Sequence, residues 1–298
     1  MAVPVQVVER SRIAAFIALT KPRIIELLLV TTVPTMVVAD RGIPSLWLVV
    51  ATVVGGTMAA GGANAFNMVA DRDIDRLMER TRSRPLVTGE LTSREALVFA
   101  LVLEIAAFAW LWALVNLLSA ALAVSACLFY VFVYTLWLKR RYSSNIVIGG
   151  AAGAVPVLVG WAAVQNQLAW EPIVLFAVIF VWTPPHFWAL AIRYRADYAA
   201  ADVPMLPAVM STRATAVRML AYTLVLWALT LVFSPVADMG ALYLTVAVVA
   251  GGALTWASIR VLRRPDEREA MRMFGFSITY IMIVFFAMAA DQVLRTGV

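Results

Sequence analysis

Asn67, Asp71 and Asp75 recur every fourth residue at the end of a long apolar run, and an arginine-rich tail, Arg80-Thr81-Arg82-Ser83-Arg84-Pro85, follows shortly after. On a helix, residues four apart share one face with roughly 5–6 Å between Cβ atoms, so the two carboxylates stack and repel one another. A stacked pair of acids at the mouth of an apolar segment calls for a cation. Hard carboxylate oxygens, with coordination positions left over for phosphate, suit Mg²⁺. The arginines suit a diphosphate, because guanidinium forks match phosphate oxygens. The stretch therefore predicts a Mg²⁺–diphosphate site at a membrane face, with Asp71 and Asp75 as its acids. Asp73 faces away from the other two on the same helix and is expected to form an ion pair instead.

Other polar residues are read beside this group. Asn67 is either a ligand through its amide oxygen or a polar residue bonding to a neighbouring helix. Arg80 and Arg84 are either diphosphate contacts or anchoring charges at the membrane boundary. Lys139 and Arg140, which end another apolar run, face the same choice between diphosphate contact and snorkelling anchor. His186 is the sole histidine and follows Trp182-Thr183-Pro184-Pro185. It is either a structural residue or a substrate contact, since a neutral imidazole can accept a proton or ligate a haem iron. Glu104 lies within an apolar run, where a carboxylate is costly and is a functional candidate by default.

The elements that must position these residues are transmembrane helices. Of 298 residues, 63% are apolar, only 14% are charged, and the mean hydropathy is +0.87. Charged residues are about 25% of an average soluble protein, so this composition excludes a soluble enzyme with a tail. Continuous apolar runs of about 20 residues fit helices rather than barrel strands. Nine such runs occur, near 22–40, 45–70, 96–116, 118–138, 145–164, 170–193, 214–234, 238–260 and 273–294. The chain is expected to be one all-α membrane domain, 1–298, with the nine helices bundled around a central cavity. Gly-Gly pairs at 55–56, 61–62, 149–150 and 251–252 fit close helix packing, and those near 149 could also leave room for a flat, bulky substrate. The two prolines at 184–185 are expected to break the sixth helix, and Asp197 and Asp202 in the loop after it make a fainter counterpart of the first acidic loop.

Lys and Arg set the orientation. With nine spans, 22 of the 24 basic residues fall on one side, leaving only Arg41 and Arg295 on the other. That predicts a cytoplasmic N-terminus and a cytoplasmic aspartate cluster. The topological pattern accounts for the net charge of +6, so no nucleic-acid partner is implied. The lone cysteine, Cys127, excludes an internal disulfide. Residues 1–12 lack a signal-peptide core and are too mixed in charge for a transit peptide, which points to a bacterial cytoplasmic membrane.

The run Asn67-x3-Asp71-x3-Asp75 resembles the first aspartate motif of the UbiA superfamily of intramembrane prenyltransferases. Its continuation through Arg80-Thr-Arg-Ser-Arg-Pro-Leu-Val-Thr-Gly89 is similar to the haem-farnesylating branch of that superfamily. So are Tyr134-Thr-Leu-Trp-Leu-Lys-Arg140, Asn145-Ile-Val-Ile-Gly-Gly-Ala-Ala-Gly-Ala-Val-Pro156, and Trp182-Thr-Pro-Pro-His-Phe-Trp188 with Asp197-Tyr198 and Pro204-Met-Leu-Pro207. The resemblance implies transfer of the farnesyl group of farnesyl diphosphate to a vinyl group of haem b, giving haem O, the first step of haem A biosynthesis. It implies that Asn67, Asp71, Asp75 and, from a second motif, Asp197 hold Mg²⁺–diphosphate. Arg80, Arg84, Lys139 and Arg140 steady the diphosphate, and His186 orients or ligates the haem. The implied partners are the bilayer, farnesyl diphosphate, haem b and a haem A synthase or oxidase-assembly protein. The chain departs from many superfamily members in having Met68 after the Asn, and its second motif is poorer in Asp than that of quinone-type relatives. Two other readings remain at this point: a prenyltransferase with an aromatic, quinone-precursor acceptor, and an ion-coupled transporter, which would leave the arginine tail unexplained.

Overall fold

The apolar runs fold as helices in the computed structural model, which describes residues 10–297, the side chains at 23, 24, 27 and 28 excepted. Residues 1–9 and the Arg23 charge counted above for orientation lie outside the described residues. A short helix, α1 (Arg12–Thr20), leads into α2 (Pro22–Asp40) and α3 (Leu46–Ala70). Two single-turn helices, α4 (Arg72–Asp75) and α5 (Pro85–Thr88), precede α6 (Ser93–Leu114) and α7 (Leu117–Leu128), which continues as a π-helix over Phe129–Leu138. Next come α8 (Asn145–Gln165), α9 (Trp170–Arg193) and the short α10 (Arg195–Ala200) and α11 (Leu206–Val209). The chain ends in α12 (Thr212–Val236), α13 (Ala241–Arg263) and α14 (Glu267–Thr296). Among the described residues, eight helical stretches are long and apolar enough to cross a membrane. The 19-residue α2 occupies the first predicted span, and its described apolar part is Leu29–Asp40.

Local signals start the spans where the polar residues sit. Ser45, Asn116, Ser211 and Asp266 each accept a backbone N–H in the first turn of the helix they precede. Thr92 and Glu95 cap α6 reciprocally. The largest apolar cluster gathers Trp161 of α8, Trp182 of α9, Phe233 of α12, Tyr243 of α13 and Phe285 of α14. Ile105, Val249 and Phe286 are exposed on the outer surface, as lipid contact requires.

Two expectations are corrected. The sixth span is not broken: α9 runs unbroken through Pro184 and Pro185. Each proline removes one backbone donor, and both prolines are buried among other helices, where interrupted backbone is tolerated. The fourth span is not uniformly α-helical. Its last ten residues are π-helical, which is uncommon and concentrates at functional sites.

Successive spans alternate in direction. The start of α2, the end of α3, the end of the π-helix, the end of α9 and the start of α14 therefore meet at one end of the bundle. Ile74 and Met78 from the loop after α3 join Tyr198, Val203, Met205 and Leu206 from the loop after α9 in one buried apolar cluster there.

Candidate active site

α3 stops at Ala70, yet the four-residue spacing survives. Asp71 N–H donates to Asn67 O at 2.9 Å and Asp75 N–H to Asp71 O at 2.8 Å, so the single turn of α4 carries the helical pattern onward. Asn67, Asp71 and Asp75 are all buried, Asp71 completely.

Each of the three is held by a basic side chain from a different element. Lys139, at the end of the π-helix, pairs with Asp71 Oδ2. Arg84, just before α5, donates to Asp75 Oδ2 at 2.6 Å. Lys21 Nζ, from the corner between α1 and α2, donates to Asn67 Oδ1 at 2.7 Å. Asn67 Nδ2 donates to Asp71 Oδ2 at 2.8 Å and to Thr135 Oγ1 at 3.0 Å. Thr135 Oγ1 donates to Tyr130 O at 2.8 Å, so the network fixes which end of the Asn67 amide is oxygen. The π-helix matters here because its wider turn carries the Lys139 N–H back to Tyr134 O at 2.8 Å, five residues before it, and so sets where the Lys139 side chain leaves. Tyr134 in turn packs onto Gly149 of α8, where any side chain would collide with its ring.

Lys21 was counted in the sequence only as an orienting charge, and is the functional candidate that spacing did not reveal. The one local signal is Thr20-Lys21-Pro22: proline at the first turn of α2 forces a new helix start. The contact with Asn67, 46 residues away, has no sequence signature. Burial first, then the Arg84 charge and, less strongly, Lys139, bring the Lys21 ammonium down to about 7, against the opposing pull of Asp71 and Asp75.

The remaining predicted residues divide. Arg140 directs its fork to Asp73, with two bonds of 2.6 Å, and donates to Ala70 O at 2.7 Å. Hydrogen bonds from Arg140 are the main reason that the Asp73 carboxyl falls to about 2. Asp73 is thus the ion-pair partner its position suggested, and Arg140 is engaged outside the aspartate pair. Arg80 lies 5.5 Å above the Tyr194 ring and near the Tyr198 hydroxyl, whose pKa is raised by burial. Asp197 Oδ2 accepts the Arg80 backbone N–H at 3.3 Å. Among the described residues no three His, Cys, Asp or Glu side chains gather into a metal cage, so Asp197 does not join Asp71 and Asp75.

His186 stands apart from this network. Its ring is stacked between Trp182 at 4.2 Å and Phe274 at 4.5 Å. Ser277 Oγ gives its proton to Phe274 O at 2.7 Å, so His186 Nδ1–H donates to Ser277 Oγ, also at 2.7 Å, and Nε2 carries the lone pair. Glu104, whose partner the sequence did not reveal, lies near Cys127 and against Gly62, where an added Cβ would stand 2.7 Å from Oε1, a buried oxygen with no hydrogen-bond partner.

The residues fit a Mg²⁺–diphosphate. Asp71 Oδ1 is buried with no hydrogen-bond partner, which is costly unless a cation takes it. Mg²⁺ is usually held by one or two carboxylates, with phosphate and water oxygens completing the set. Asp71, Asp75 and the Asn67 oxygen supply the protein's share, and Arg84, Lys139 and Lys21 stand around it as phosphate donors.

Comparison with known proteins gives a consistent picture. A family model described as "UbiA prenyltransferase family" matches residues 28–287. A protein of Leifsonia xyli subsp. xyli named protoheme IX farnesyltransferase is 53% identical over 286 residues, 95% of this chain and 93% of the relative. One of the same name from Clavibacter michiganensis subsp. michiganensis is 51% identical over 283 residues, 94% and 92% of the two chains. Among solved structures, a digeranylgeranylglyceryl phosphate synthase superposes with a TM-score of 0.78 at 16% identity, covering 95% of this chain and 99% of that one. A UbiA homologue from Archaeoglobus fulgidus bound to GPP and Mg²⁺ superposes at 0.64 with 17% identity, covering 93% and 99%.

Proposed function

The chain belongs to the UbiA prenyltransferase family, and on that premise we propose that it transfers the farnesyl group of farnesyl diphosphate to a vinyl group of protoheme IX, giving haem O and diphosphate. The observation that carries this is identity above 50%, over at least 94% of the chain, to proteins named for that reaction. That identity favours this reaction over an aromatic-acceptor prenyltransferase or an ion-coupled transporter. The membrane domain is taken as one unit, 1–298, and the positive-inside asymmetry supports a bacterial cytoplasmic membrane with the N-terminus and the site facing the cytoplasm.

In this mechanism Asp71, Asp75 and Asn67 hold Mg²⁺, which when bound supplies positive charge to the diphosphate oxygens as a Lewis acid. Arg84, Lys139 and Lys21 stabilise the charge that grows on the leaving diphosphate as the allylic C–O bond breaks. Arg80, over the Tyr194 ring, and Arg140, paired with Asp73, are the outer basic residues assigned to steadying the diphosphate. Asp197 fastens the Arg80 backbone and is assigned to the second motif's share of the diphosphate site. The apolar bundle keeps water from the farnesyl cation until the porphyrin vinyl carbon forms the new C–C bond. Water then adds to the porphyrin-side cation and loses a proton, leaving the hydroxyl group. His186, with its Nε2 lone pair unengaged, is suited to orienting the haem through its iron. A haem A synthase or oxidase-assembly protein is the expected recipient of the product.

The test is product analysis. Cells lacking their own activity, expressing this chain, should yield haem whose extracted mass is that of protoheme plus a hydroxylated farnesyl group. Unmodified haem b from membranes that contain the folded protein overturns the assignment.

A further inference from the structure

Basic side chains occupy three of the oxygens at the acid cluster and leave Asp71 Oδ1 without a partner. Lys21 takes Asn67 Oδ1, Lys139 takes Asp71 Oδ2 and Arg84 takes Asp75 Oδ2. The match is one cation to one prospective ligand. Lys21, Lys139 and Arg84 each hold one of these oxygens, so a bare divalent cation must displace a basic side chain, whereas a cation that carries a diphosphate offers that side chain a phosphate oxygen in exchange.

Lys21 is the member of the trio with the most specific delivery. Its backbone is left-handed, with φ of 53°, which turns the chain sharply from α1 into α2. Asn64 Nδ2 donates to Thr20 O at 3.0 Å, and Gly61 lets Thr20 come close enough that an added Cβ would lie 3.2 Å from it. The corner is thereby fastened to the same face of α3 that presents Asn67. The base of Lys21 is fixed, while its ammonium sits on a four-carbon stem that can swing.

We propose that Lys21, together with Lys139 and Arg84, competes with the metal for the oxygens of Asn67, Asp71 and Asp75 and turns onto the diphosphate when metal and diphosphate bind together. This couples metal and diphosphate binding, so that each strengthens the other. It rests on the Mg²⁺–diphosphate reading above. In the exchange Asn67 Oδ1 passes from the ammonium to the metal, and the ammonium passes to a phosphate oxygen. No covalent bond changes.

The experiment uses the full-length protein in nanodiscs, Mn²⁺ as the metal and farnesyl thiodiphosphate as a slowly reacting diphosphate. Mn²⁺ binding is read by electron paramagnetic resonance and analogue binding by calorimetry. In the wild type, the analogue should tighten Mn²⁺ binding at least about fivefold, the lower end of typical site coupling. Lys21→Met should split the two affinities: Mn²⁺ alone binds more tightly than in the wild type, and the analogue with Mn²⁺ binds more weakly. A fall in both affinities makes the corner merely structural, and no change in either makes Lys21 a spectator; both results overturn the proposal. If Lys21→Met does not fold, the wild-type coupling and Lys21→Arg decide. Lys21→Arg keeps the charge and should keep the coupling within about threefold, a difference of well under 1 kcal/mol; absent coupling in the wild type, or its loss in Lys21→Arg, overturns the proposal. Failure of the wild type to bind either probe instead removes the underlying Mg²⁺–diphosphate reading.

Discussion

The loop after α3 and the loop after α9 meet at one end of the bundle and both carry acids, but they place them differently. The first loop buries Asp71 and Asp75, which pair with Lys139 just after the π-helix and with Arg84 of its own tail, while Lys21 at the α1–α2 corner bonds the neighbouring Asn67. The second leaves Asp202 exposed in a left-handed turn and uses Asp197 to accept a backbone N–H from the first loop. Apolar side chains join them, with Ile74 and Met78 of the first seated among Tyr198, Val203 and Met205 of the second. A buried carboxylate is costly without a partner. The first loop spends that cost on an arrangement with an unpartnered oxygen, Asp71 Oδ1, whereas the second avoids it. The contrast suggests a division of labour: the first loop carries ligands, and the second holds it in place.

The largest expected effects test that division directly. Asp71→Asn or Asp75→Asn should lower haem O formation on the order of 10²–10³-fold, the loss typical of deleting one preorganised electrostatic group. Asp197→Asn should cost less than about tenfold, since a neutral amide oxygen still accepts the Arg80 N–H. Rates of haem O formation in proteoliposomes, at matched amounts of folded protein, make the measurement. Equal losses at Asp71 and Asp197 would break the comparison and make the second loop a ligand donor.

The apolar seam gives a smaller and different effect. Met78 is 3% exposed, and truncating a buried Met to Ala typically costs about 2–5 kcal/mol. Met78→Ala removes packing between the loops and leaves every ionic contact of Asp71 and Asp75 in place. The KM for farnesyl diphosphate should rise several-fold with kcat nearly unchanged, and residues 71–92 should be cut sooner by limited proteolysis. A fall in kcat at unchanged KM would mean that the second loop shapes the chemistry rather than the fit.

The same contrast explains what could be read from the chain before its folding. Asn67, Asp71 and Asp75 were legible because a four-residue period is a local property of helices, and it persists across the end of α3. The apolar runs were legible because a bilayer demands length and continuity. Lys21 was not, because its role is created by a left-handed corner and a contact spanning 46 residues. The π-helix was not, because Phe129–Leu138 carries no proline, glycine or polar period that distinguishes five-residue from four-residue hydrogen bonding. The prolines of α9 misled for a related reason: their local preference is to break a helix, but they are buried against surrounding helices and the segment stays helical through them. Glu104 and Cys127 find each other only through the packing of α6 on α7.

The smallest effect belongs to the pair just outside the buried acids. Asp73 is 64% exposed on its side chain and Arg140 34%, so their bidentate contact is worth no more than about 1 kcal/mol after solvent screening. Arg140 lowers the Asp73 carboxyl from 3.8 to about 2. A carboxyl depressed on folding contributes stability above its unfolded pKa and loses it only as the pH falls through the folded value, here from about 4 down to about 2. Between pH 5 and 9 Asp73 therefore stays ionised and its pairing constant. Asp73→Asn should leave the pH–rate profile over that range superimposable on the wild type, with kcat/KM lower by less than about threefold. A shifted profile, or a loss approaching that of Asp71→Asn, would place Asp73 among the ligand-bearing groups and extend the first loop's role to its outer face.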